Sequence, residues 1–73
     1  MERSIIIYIT VNKNGSINLS IDKPIKENNK WIINNYFCNS QLYNQMYDLV
    51  KKSKMTFESE PEVIEINLKT IND

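Results

Sequence analysis

The chain has 73 residues and a formal net charge of zero, with nine basic and nine acidic side chains. A chain of this length makes one small domain, which we expect to span residues 1–73. It contains no His, one Cys and one Gly, which excludes an intramolecular disulfide, a Cys/His zinc site, a glycine-rich phosphate loop and a histidine base. We therefore expect a protein that is not an enzyme, has no cofactor and no metal, and is held together by packing alone.

The N-terminal third predicts a β-hairpin, because apolar and polar residues alternate on both sides of a turn signal. A two-residue Asn14-Gly15 turn would place apolar residues of one strand opposite polar residues of the other. A three-residue loop, residues 13–15, pairs position 11 with 17, 9 with 19 and 7 with 21, and requires a positive φ at Gly15. This register gathers one apolar face from Ile7, Ile9, Val11, Ile17, Leu19 and Ile21.

Residues 23–38 are the least certain part of the pattern. Pro24 and the pair Asn28-Asn29 predict a break with a turn. Residues 31–38 are compatible with a strand or a helix, and their β-branched and aromatic content favours the strand. Trp31 is expected to fill the core, and Cys38 to be a small buried hydrophobic residue.

Residues 41–54 predict an amphipathic helix that begins after an N-cap at Asn39 or Ser40. Its apolar stripe consists of Leu42, Met46, Leu49, Val50 and Ser53, with Tyr43 and Tyr47 along one edge. The last turn carries three cations that complement the negative end of the helix dipole, namely Lys51, Lys52 and Lys54.

After a connector over residues 55–61, residues 62–71 alternate again and predict a strand with one solvated face. Ile64, Ile66 and Leu68 point one way, and Glu65, Asn67 and Lys69 point the other. The expected fold is α+β with two layers. A small antiparallel sheet, the hairpin plus one or two further strands, is packed by one amphipathic helix in the order β-β-(β)-α-β.

The clearest candidate site is an acidic run near the C-terminus that contains Glu58, Glu60 and Glu62. Residues 58–73 carry five acidic and one basic side chain, whereas residues 1–57 carry four acidic and eight basic ones. Such a run is often only a solvated loop. Its functional interpretation is an edge that binds a larger protein with a basic surface. Tyr43 and Tyr47 are the candidate aromatic anchors of that interface, because Tyr is enriched in binding hot spots.

Two alternatives use other residues. Lys51, Lys52 and Lys54, with the nearby tyrosines, could contact nucleic acid, but a sequence pI of about 6.2 makes this partner unlikely. A small sheet also leaves edge strands open, so the chain could pair with itself as a homodimer.

The composition also suggests a setting. Ile, Asn and Lys, whose codons are AT-rich, contribute 31 of the 73 residues, which is typical of an AT-rich genome such as that of a phage or mobile element. The apolar run at residues 5–9 is too short for a signal core or a membrane span, so we expect a cytoplasmic protein, in the host cytoplasm if the gene is viral. The resulting hypothesis is a protein-binding accessory factor that inhibits a host protein, for example a defence protein, by occupying its surface.

Overall fold

The structure, a computed structural model, describes residues 3–68 as five strands and one helix. The elements are β1 (Arg3–Val11), β2 (Ile17–Ser20), β3 (Ile25–Glu27), β4 (Lys30–Ile32), α1 (Ser40–Ser53) and β5 (Glu62–Leu68). β1 is the central strand of an antiparallel sheet with the order β2-β1-β5, and β3 pairs with β4 in a second sheet. The predicted α+β fold class is confirmed.

The hairpin of β1 and β2 has the register that burial demands. Val11 pairs with Ile17, and Ile9 pairs with Leu19. Gly15 has a φ of 91°, as the three-residue loop requires. The N–H of Asn12 donates to the carbonyl of Ser16 at 2.8 Å and closes the loop.

The prediction that Ile21 shares the buried face is wrong. β2 ends at Ser20, so the pair between positions 7 and 21 does not form. The hydroxyl of Ser20 donates to the carbonyl of Asp22 as the chain bends away. Ile21 remains 45% exposed, and its N–H donates to the carbonyl of Asn35 at 2.9 Å.

Residues 31–38 form neither one strand nor a helix, which corrects the favoured prediction. Asn28 and Asn29 make the predicted turn, with φ values of 53° and 61°, and such a turn joins antiparallel strands tightly. The chain therefore pairs locally as β3 and β4, and a strand lies within the predicted break. Residues 35–37 then run beside the end of β2, where the N–H of Phe37 donates to the carbonyl of Leu19 at 2.9 Å.

Helix α1 begins and ends close to the predicted positions. The side chain of Asn39 accepts a hydrogen bond from the N–H of Leu42 at 2.9 Å, so Asn39 is the N-cap. Lys54 has a φ of 58°, and the N–H of Met55 donates to the carbonyl of Val50 at 3.1 Å. A left-handed residue followed by such a bond is a common helix ending.

The core lies between α1 and one face of the three-stranded sheet. Its buried apolar residues are Ile7, Ile9, Val11, Ile17, Leu19 and Val50. Leu42, Met46 and Tyr47 pack against it from the helix. Leu49 was expected in this stripe but is 37% exposed, and Ser53 is exposed too. The helix is rotated so that Tyr47, on the other side of Val50, borders the core instead.

β5 brings its predicted apolar face to the same core. Ile64 pairs with Ile7 and Ile66 with Ile5, and both β5 residues pack partly buried against the core. On the opposite face of the sheet, Ile6 and Val63 are 42% and 51% exposed. The predicted continuation of the strand, including Lys69 and Ile71, lies outside the described residues.

Candidate functional site

The acidic run lies in the connector between α1 and β5, and all three predicted glutamates are exposed. Its first part lies in a compact turn over residues 56–59: the N–H of Thr56 donates to the hydroxyl of Ser59 at 2.9 Å, and the N–H of Ser59 donates to the carbonyl of Thr56 at 3.0 Å. Glu62 is the first residue of β5 and pairs with Ile9. The run is therefore held at both ends by regular hydrogen bonding.

An aromatic cluster anchors this connector to the second sheet. Phe57 is buried and meets the ring of Trp31 edge-on, with centroids 6.3 Å apart. The Lys26 Nζ lies 4.4 Å and 4.8 Å from the centroids of these two rings and donates to the carbonyl of Phe57 at 2.8 Å. Trp31 is only partly buried and lies outside the main core, so it fills a satellite cluster rather than the core predicted for it.

Lysines offset part of the acidic run. Glu58 and Glu60 line a depression of about 290 Å³ together with Lys23 and Lys26. The Nζ of Lys26 is 4.0 Å from the carboxylate of Glu58, whose side chain is 83% exposed; within residues 3–68 this is the one ion pair. Such an exposed pair contributes about 0–1 kcal/mol. Glu62 does not line this depression, so its negative charge lies at the start of β5, away from these lysines.

The two candidate tyrosines lie in a different place. Tyr43 and Tyr47 stand on successive turns of α1 and, with the hairpin loop at residues 14–16, line a depression of about 470 Å³. This depression shares no residue with the one at Glu58 and Glu60. The structure brings the tyrosines together and two of the glutamates together, but does not unite the two sets in one cavity.

Sequence reasoning missed a groove of about 320 Å³ between β2 and the start of α1. Its lining is Ile17, Asn18, Leu19, Tyr36, Phe37, Cys38, Asn39, Ser40, Tyr43 and Asn44. Cys38 is exposed here, so its predicted burial is wrong. The reason is that residues 33–39 cross the surface as an irregular connection, which no periodic pattern announced.

Two of the three basic residues at the helix end have a local structural role. Lys51, Lys52 and Lys54 are all exposed. The Nζ of Lys51 lies 4.9 Å from the centroid of the Tyr47 ring, which is within the range of a cation–π contact. Lys54 provides the left-handed residue that ends the helix.

The sequence predicts that a small sheet leaves edge strands open, but it does not identify them; among the described residues, one such edge is the outer edge of β5. Because Asn12 and Ser16 form a hydrogen-bonded pair, alternation along β1 directs the backbone groups of Ile5, Ile7 and Ile9 toward β5. Their partners on β5 are its even-numbered residues. The N–H and C=O groups of Val63, Glu65 and Asn67 therefore point away from the sheet, and no other strand among residues 3–68 pairs with them.

The part of the chain that the structure describes contains no group of three or more side chains arranged to hold a metal ion. Within the same residues, no helix has the length and apolar character needed to cross a membrane. Comparisons of the chain with protein-family models, with curated proteins and with solved structures find no match, so its function is argued from its own residues.

Proposed function

We propose that this chain is a non-enzymatic protein-binding module that uses its acidic connector and β5 to occupy a basic surface of a larger partner. One observation carries the proposal. Glu58, Glu60 and Glu62 are exposed, yet the backbone that bears them is fixed by the Thr56–Ser59 turn, by Phe57 and by β5.

Such anchoring matters because ordering a flexible loop on binding costs free energy that a preorganised surface does not lose. Clustered carboxylates accelerate encounter with a basic partner and disfavour acidic ones. Tyr43 and Tyr47 remain candidate contacts only for a partner large enough to reach a second depression on the molecule.

The biological form of the proposal is inhibition of a host protein, for example a defence protein, by a phage or mobile-element accessory factor. The amino-acid composition supports this setting, because Ile, Asn and Lys, whose codons are AT-rich, make up 31 of the 73 residues. Blocking a surface also requires no reactive centre. The chain should then reduce the activity of its captured partner in proportion to occupancy, which a titration of that partner's activity measures.

The proposal is tested by charge reversal with a control of equal charge. E60K/E62K is compared with E27K/D48K, which replaces two exposed acidic residues outside the acidic run. Immobilised variants are incubated with lysate of the source organism's host, and captured proteins are quantified by mass spectrometry. We expect E60K/E62K, and more completely E58K/E60K/E62K, to lose the partner that the wild type and E27K/D48K retain.

Equal capture by all variants, with unchanged unfolding curves, would remove the acidic connector from the account. Loss of capture in both charge-matched variants would show that only net charge matters.

Self-association is the alternative that a specific observation supports, because no strand among residues 3–68 covers the outer edge of β5.

A further inference from the structure

The outer edge of β5 presents a row of backbone hydrogen-bonding groups that the described chain does not use. Val63, Glu65 and Asn67 each direct an N–H and a C=O outward, as the alternation from the Asn12–Ser16 pair shows. An unpaired strand edge is a template for another strand, whose main-chain bonds give affinity while alternate side chains give specificity.

The side chains beside this edge define what a partner strand must carry. On the outer face, Val63 is 51% exposed and Ile6, on the adjacent strand, is also exposed. On the inner face, Ile64 and Ile66 are only partly buried. Apolar residues opposite these β5 positions would complete the burial of both faces.

The acidic side chains on this edge favour a foreign basic strand over a second copy that pairs about Glu65. Glu62 is exposed on the inner face, and Glu65 on the outer face accepts a hydrogen bond from the hydroxyl of Ser4 at 2.9 Å. In antiparallel self-pairing about Glu65, the two Glu65 side chains would be direct cross-strand neighbours, and like charges placed so are destabilising. A strand bearing Lys or Arg at these positions turns the same contacts into attraction.

We propose that the outer edge of β5 accepts an extended, antiparallel partner strand with basic residues opposite Glu62 and Glu65 and apolar residues opposite Val63, Ile64 and Ile66. The inference rests on the proposed binding function and specifies its mode. It converts a general affinity for basic surfaces into recognition of one specific sequence pattern, with basic residues three positions apart and apolar residues at the neighbouring positions.

The probe is the synthetic peptide Thr-Val-Lys-Val-Val-Lys, which matches positions 67 to 62 in antiparallel order. Its control is Thr-Val-Glu-Val-Val-Glu. Each is titrated to millimolar concentration into the full chain while backbone amide resonances are recorded. We expect the basic peptide to shift the amide resonances of residues 62–67 selectively. The acidic peptide should bind with an affinity at least about tenfold lower.

Two variants separate backbone pairing from simple charge attraction. V63P removes an outward N–H without touching the ladder to β1, whereas V63T keeps that N–H and the β-propensity. V63T should bind the basic peptide like the wild type, and V63P should bind it with an affinity at least about tenfold lower. E62K/E65K should exchange the preferences for the two peptides.

No shift in β5, shifts centred on the groove at β2, or equal binding by folded V63P would overturn the inference. A dimer of the free chain with β5 edge amides protected would overturn it too, in favour of a second copy. If V63P does not fold, the two peptides and E62K/E65K decide. Charge-dependent capture of a partner that V63P preserves would refute the strand-addition mode while leaving the proposed function intact.

Discussion

The two edge strands of the main sheet are finished in different ways. Along β2, the chain covers part of its own edge, since Phe37 donates to Leu19 and Ile21 donates to Asn35. Along β5, no strand among the described residues covers the edge, and glutamates flank it instead. Charge on an exposed edge discourages indiscriminate pairing. The β2 edge is therefore partly covered by the chain itself, whereas the β5 edge is flanked by charged side chains and not covered by any described strand.

The face of the sheet opposite the core also differs between its β2 side and its β5 side. Beside β2, an amide network links Asn12, Asn18 and Thr10: the Asn18 Nδ2 donates to the Asn12 Oδ1 at 2.7 Å and to the Thr10 Oγ1 at 3.2 Å. Beside β5, the same face carries the exposed Ile6 and Val63. Polar groups are satisfied internally at one side of the sheet, and apolar surface is left uncovered at the other.

The largest effect is expected from a core substitution in β1, the central strand with which both edge strands pair. Ile7 is fully buried, with no accessible surface. I7A should lower the free energy of unfolding by about 3 kcal/mol, because it leaves a cavity in the main core next to Ile64 of β5. I6A, one residue away on the exposed face, should cost less than about 1 kcal/mol. Urea denaturation measures both values, and equal losses would contradict the assignment of faces.

The second prediction compares the edges directly by a matched proline substitution. Ile21 and Val63 are similarly exposed, but the N–H of Ile21 is used and that of Val63 points outward. I21P should lower the free energy of unfolding by about 1–2 kcal/mol, because it removes the hydrogen bond to the carbonyl of Asn35. V63P should lower it by less than about 1 kcal/mol. Thermal unfolding of both variants checks the order, and a larger loss in V63P would mean that the β5 edge is not open.

The smallest effect concerns the segment that closes β2 and leads into α1. N39A removes the N-cap acceptor for the N–H of Leu42 and should cost about 1 kcal/mol. S40A is the adjacent control and should change the unfolding free energy by only a few tenths of a kcal/mol. If S40A is the more damaging substitution in chemical denaturation, Ser40 rather than Asn39 caps the helix.

The parts of the fold that the sequence predicted are those governed by local chemistry and one-sided burial. The register of β1 and β2, the positive φ of Gly15 and the alternation of β5 follow from period-two patterns with one apolar face. The Asn28-Asn29 turn was predictable from local chemistry, because Asn tolerates left-handed conformations.

The remaining features depend on contacts between distant segments. The exposure of Leu49 depends on how α1 rotates over the sheet, which Tyr47 and Val50 together determine. Trp31 was misjudged because Phe57, far along the chain, forms a satellite cluster with it, and Cys38 was misjudged because residues 33–39 cross the surface without a periodic pattern. The separation of the tyrosines from the acidic connector, and the open edge of β5, required the strand order β2-β1-β5. No spacing in the sequence specifies that order.

The most direct measurement is residue-resolved amide hydrogen exchange along β5 in the free chain and in complex with the captured partner. In the free chain we predict slow exchange at Ile64 and Ile66, whose N–H groups bond to β1, and fast exchange at Val63 and Glu65. Binding should slow the fast set. Uniform protection of β5 in the free chain, or fast exchange at Val63 and Glu65 that persists in the complex, would contradict the claim that this edge is the binding edge.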